Sequence, residues 1–113
     1  MRWTRTARAQ TPEEGAVSVL MTLRVSGDPK AVEATPPDVL QTIVERAKGM
    51  GAISHHFYGS GDEIFVVDEW PDEDSFQKFF ESSPEIGDMM QRAGAGEPNV
   101  SFWHALDVTD GFG

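Results

Sequence analysis

An α+β fold is predicted for this chain, with elements in the order strand, helix, strand, strand, helix, strand. Three observations carry it. Val17, Val19, Met21, Leu23 and Val25 alternate with Ser18, Leu20, Thr22 and Arg24, the two-residue period of a strand with one fully apolar face. Further along, Val39, Leu40, Ile43, Val44, Ala47 and Met50 recur at helical spacing. Then "GSGD" at 59–62 separates two strand-like runs and marks a hairpin.

The remaining punctuation places each element. "SGDP" at 26–29 breaks the first strand, and "TPPD" at 35–38 starts the first helix. There Thr35 reads as N-cap, the prolines fill the first turn, and Asp38 takes the acid position of a capping box. Gly49 and Gly51 end that helix. The hairpin strands span 52–58 and 63–70, and Pro71 stops the second. Asp72 caps the next helix, with Glu73 and Asp74 favoured at its positive end, and Phe76, Phe79 and Phe80 form its buried stripe. Ser83-Pro84 begins a further short helix with Ile86, Met89, Met90 and Ala93 inward and Gly94 as its stop. "NVSFWHALDV" at 99–108 is the last strand, so residues 16–108 form one domain and 109–113 a loose tail.

Right-handed crossovers then give an antiparallel sheet of order 4-1-3-2 with both helices on one face, a ferredoxin-like arrangement. The other face carries Leu20, Phe65, Val67 and Trp103, too apolar to leave in water. A second copy packing sheet to sheet covers it, so a homodimer is expected.

Composition excludes several functions. The 113 residues suffice for one core. The net charge is −10, and ten of the nineteen acids lie between Asp62 and Asp88 against one base, Lys78. Such a face repels phosphate backbones, which argues against nucleic acid. No apolar run approaches the roughly 18–20 residues of a membrane span. The lack of cysteine removes disulfides, thiolate catalysis and cysteine metal sites, and fits the cytoplasm. Residues 1–15, with Arg2, Arg5 and Arg8 and no acid before Glu13, lack a signal peptide's apolar stretch. They read as a flexible arm, or one that Trp3 anchors on a neighbouring subunit.

A tight turn centred on Ser60-Gly61 would pair His55 with Val66, Ile53 with Asp68 and Phe57 with Ile64. On that register Ile53, His55, Phe57, Ile64, Val66, Asp68 and Trp70 share the helix-covered face, and the last strand adds Val100, Phe102, His104 and Leu106. A one-residue bulge would exchange His55 for His56. His55, His104 and Asp68 are therefore the candidate catalytic groups. Trp70, Phe57, Phe76, Phe79, Phe80, Met89 and Phe102 would line an apolar pocket around them, the usual form of a small-molecule site. A histidine there can act as base or orient a substrate hydroxyl. The same residues also suit a purely structural role: hydrogen-bonded strand histidines, a carboxylate tied to backbone amides, a tryptophan plugging the core. His55-His56 is not a metal pair, because adjacent strand residues point to opposite faces, and no H-x-x-x-H or H-x-E signature occurs. Neither a metal nor another cofactor is expected.

"VVDEW" followed by "PDEDSFQKFF", the "SSPEIGDMM" segment and the late "SFWHAL" resemble the dimeric α+β barrel superfamily, within it the antibiotic-biosynthesis-monooxygenase-like group. The resemblance covers most of residues 17–108 and implies a homodimer closed into an α+β barrel. It also implies the activities of that group: cofactor-free oxygenation of phenolic polycycles, haem degradation, or no known reaction. Haem-degrading members use an asparagine on the first strand, a tryptophan after the third and a histidine on the following helix. Trp70 matches the tryptophan, but Phe79 and Phe80 stand where the histidine would fall, and "VSVLMTLRV" has no asparagine. The expectation is thus a monooxygenase-like enzyme for a small aromatic or phenolic compound, or a non-catalytic ligand-binding or structural dimer of the same fold.

Overall fold

Eight elements follow one another in a computed structural model that describes residues 18–112: β1 (Val19–Ser26), α1 (Pro29–Glu33), α2 (Pro37–Gly49), β2 (Ser54–Ser60), β3 (Glu63–Trp70), α3 (Glu73–Glu81), α4 (Pro84–Arg92) and β4 (Asn99–Trp103). The expected arm over residues 1–15 and the strand residue Val17 lie outside the described residues. All strand pairs are antiparallel, in the order β2-β3-β1-β4, which is the expected 4-1-3-2 read from the other edge.

Alternation decides which face is buried. Met21, Leu23 and Val25 on β1, Ile64, Val66 and Trp70 on β3, and Val100 on β4 all turn under the helices, where they meet Ile43 of α2, Phe76 and Phe79 of α3 and Met89 of α4. Each such side chain contributes roughly 1.5–3 kcal/mol by leaving water. Trp70 is wedged between the rings of Phe76 and Phe79, with centroids 5.9 and 5.3 Å away. Among the described residues no helix is long and apolar enough to cross a membrane.

Four local expectations are corrected. The hairpin turns on Gly61-Asp62, not Ser60-Gly61, so Ser60 pairs with Glu63, Phe57 with Val66 and His55 with Asp68. Gly61 has φ +59° and no non-glycine residue among those described has a positive φ, the pattern of a type II′ turn, which needs glycine at its first central position. Because the slip is two residues, every side chain keeps its face. Second, Asp28 caps an unexpected short helix, α1, by accepting from the Lys30 amide at 3.0 Å. Third, α2 begins one residue later than Thr35 would allow. Pro37 holds Pro36 extended (ψ 139°), which makes Pro36 the cap residue and leaves Thr35 buried.

The fourth correction concerns the last strand, which stops at Trp103 rather than at residue 108. Trp103 pairs with Leu20, and β1 begins only one residue further out, at Val19, so β1 offers no partner to residues 105–108. Other expectations hold. Asp72 caps α3 through the Ser75 amide at 2.8 Å, and Gly94 follows α4 with φ +67°.

Candidate active site

Strand β3 supplies the polar centre. Asp68 and Trp70, two residues apart, point to the same side of the sheet, and Asp68 is only 5% exposed. A buried carboxylate must find donors. Here His55 Nδ1 lies 2.6 Å from Asp68 Oδ1, and Trp70 Nε1 donates to Oδ2 at 3.2 Å. The corrected register creates this pairing by setting His55 directly opposite Asp68 on the neighbouring strand. His56 faces the other side of the sheet opposite Val67, so the bulge that would exchange the two histidines does not form.

A cavity of about 280 Å³ opens beside the pair, between the sheet and α2, α3 and α4. Its walls are Met21, Leu23 and Val66 from the sheet and Ile43, Phe76, Phe79, Phe80 and Met89 from the helices. Four lining residues are exposed: Val44, Lys48, Ile53 and His55. They set the mouth between the last turn of α2 and the start of β2. The mouth stands open because the chain does not enter β2 at once. The Ala52 amide donates back to the Ala47 carbonyl at 2.9 Å, and regular pairing starts only after Ile53.

The expected site residues divide. His55, Asp68, Phe57, Phe76, Phe79, Phe80 and Met89 line the cavity together. Trp70 does not line it: it lies fully buried behind Asp68 and reaches the site through that carboxylate. Phe102 is partly buried and packs edge-on against Phe76 at 5.8 Å, outside the lining. His104 follows the truncated β4, is exposed, and is not brought to the cavity.

A brace that no sequence pattern announces ties α2 to α4. Arg46 of α2 donates to both carboxylate oxygens of Glu85 at the start of α4, at 2.7 and 3.0 Å, and to Ser83 Oγ at 3.2 Å. Those hydrogen bonds hold the Glu85 carboxyl at about 2, well below the usual carboxylate range. Lys48 at the mouth was likewise one surface base among several. The partners of Arg46 stand 37 and 39 residues away in sequence, a separation that no local pattern records.

Chemically, the arrangement offers a histidine held by one nitrogen to a buried carboxylate, at the edge of an apolar space. With Nδ1–H donated to Asp68, Nε2 keeps its lone pair and has no hydrogen-bond partner among the described residues. No group of three or more His, Asp or Glu side chains able to hold a metal ion occurs among those residues.

No protein-family model matches the chain, and no curated protein matches its sequence. Solved structures do match in shape. SnoaB, a cofactor-independent oxygenase from Streptomyces nogalater, superposes with a TM-score of 0.58 at 16% identity, covering 85% of this chain and 100% of its own. A candidate antibiotic biosynthesis monooxygenase from Deinococcus radiodurans gives 0.55 at 10% identity, covering 84% and 99%. A dimeric ferredoxin-like protein from an uncultured marine organism gives 0.55 at 12%, covering 83% and 92%. At such identities the likeness establishes the fold alone: this chain has a ferredoxin-like α+β fold.

Proposed function

We propose that the chain is a cofactor-independent monooxygenase-like enzyme acting on a small aromatic or phenolic compound held in the cavity under α2, α3 and α4. The observation that carries this reading is the His55–Asp68–Trp70 chain of hydrogen bonds at the edge of an apolar space. Asp68 fixes the imidazole tautomer, and Nε2 of His55 removes the proton of a bound phenol. The carbanion-like anion that results supplies the electrons to dioxygen. A ring methylene becomes a carbonyl: one oxygen atom stays on carbon and the other leaves as water with the two displaced hydrogens. The substrate is its own reductant, so no cofactor is required. The aromatic and methionine walls exclude water and orient the ring. That SnoaB, of like fold, is a cofactor-independent oxygenase supports the reading.

The working unit is proposed to be a cytoplasmic homodimer. Leu20, Phe65 and Trp103 are exposed on the sheet face opposite the helices, and sheet-to-sheet packing of two copies into a barrel would cover them while leaving the cavity mouth free. The dimeric ferredoxin-like neighbour supports this assembly.

Oxygen uptake with anthrones, naphthoquinols and simple phenols tests the reaction. His55→Phe is expected to lower turnover of an active compound by about 10²- to 10⁴-fold. Undiminished turnover would remove His55 as the base. One observation favours a second reading, a non-catalytic binding module: both Asp68 oxygens are already occupied by protein donors. In that case ligands bind without consuming oxygen, and His55→Phe holds affinity within a few-fold.

A further inference from the structure

The polar groups of the cavity are few and unevenly charged. Although the chain carries nineteen acids against nine bases, the lining contains one carboxylate among the described residues, Asp68, and both its oxygens are committed to His55 and Trp70. Among the described residues it contains one ammonium, Lys48, which like His55 is an exposed residue of the mouth. Lys48 makes no ion pair or hydrogen bond through its side chain among the described residues. Arg46, two residues earlier on the same helix, is consumed by Glu85, so it does not compete for a ligand.

We infer that the cavity takes an apolar ring compound bearing a single anionic group, a carboxylate, with Lys48 as the residue that selects for it. This inference rests on the reading of the cavity as a ligand site. The ring system enters among Phe76, Phe79, Phe80 and Met89, where no charge can be solvated. Its anionic end stays at the mouth, where Lys48 meets it and water still reaches both. Orientation follows from this polarity: an amphipathic ligand has one way in, which presents the ring edge next to its acid group to His55. The volume of about 280 Å³ is small for a ligand pocket and suits a two-ring body. For a protein of net charge −10, a lysine with no acid partner among the described residues is also what draws an anion towards this opening rather than repelling it.

Calorimetric titration with 2-naphthoate and its neutral isostere 2-naphthamide, at low ionic strength, tests the inference. The native chain should bind the acid about fivefold more tightly than the amide, the ratio an exposed-rim ion pair of about 1 kcal/mol confers. Lys48→Met should bind the two alike, and Lys48→Arg should keep the preference. Equal binding of acid and amide by the native chain overturns the inference and leaves the ligand site standing. So does a preference that survives in Lys48→Met. If neither compound binds, the ligand-site reading itself fails and the inference falls with it.

Discussion

Replacing Asp68 with asparagine is the sharpest probe of the site, because it changes chemistry while keeping shape. The carboxylate accepts from His55 at 2.6 Å and from Trp70 at 3.2 Å, and it is 5% exposed. Asparagine has one acceptor oxygen and one donor amide. The indole N–H can only donate, so the oxygen must turn to Trp70 and the amide to His55. His55 Nδ1 must then accept, and the ring proton moves to Nε2, the nitrogen proposed as the base. Two charge-assisted hydrogen bonds become neutral ones, a loss of roughly 1–3 kcal/mol in stability. For a domain of this size that lowers the melting temperature by about 4–15 °C. Turnover should fall further than stability suggests, by about 10²- to 10⁴-fold, since the base is blocked outright. Imidazole ¹⁵N shifts read the tautomer without any substrate: Nδ1–H in the native chain, Nε2–H in Asp68→Asn. A native ring already protonated on Nε2 would refute the reasoning, as would an Asp68→Asn variant that keeps full turnover.

Three further outcomes follow from the packing. Glu85, with its carboxyl held at about 2 chiefly by the Arg46 hydrogen bond, stabilises the fold above its ordinary value of 4.5 and loses that contribution as pH falls from about 4.5 towards 2. Glu85→Gln should therefore lower the melting temperature at pH 7 and flatten its decline between pH 5 and 2.5; an unchanged slope would show that the brace contributes nothing. A Cβ on Gly59 would stand 2.9 Å from Pro29 Cβ, so Gly59→Ala should destabilise by about 1–3 kcal/mol in urea unfolding, and an unaltered midpoint would mean that α1 gives way freely. Phe65→Glu, on the sheet face away from the helices, should yield a monomer by light scattering at micromolar concentration; a persistent dimer would place the contact elsewhere.

Much of the fold was legible because it depends on periodicity and punctuation. The alternation of β1 and β3, the helical spacing after Pro37 and the Asp72 cap each speak for themselves within a few residues. The expected and the observed hairpin registers differ by two residues, which preserves face, so both group His55, Phe57, Val66 and Asp68. Two choices of partner were not legible. Whether His55 meets Val66 or Asp68 depends on whether Gly61 takes the second or the first central position of the turn, and a glycine is equally able in either. His104 lies just beyond the last strand, whose extent depends on its pairing with β1 at the other end of the chain.

From sequence alone came the element order, the buried face of each strand and the residue types available for chemistry, since each rests on interactions between near neighbours along the chain. The tertiary structure decided which of those residues meet. Arg46 and Lys48 are neighbouring bases in the last turn of one helix, indistinguishable by pattern. Packing against α4 gives the first to Glu85, while the delayed entry into β2 leaves the second facing an open cavity. Trp70 likewise reads as a core plug, yet its one polar atom reaches the carboxylate that holds His55. Such assignments depend on the relative placement of whole elements, and a charge or donor finds its partner only after hydrophobic burial has fixed that placement.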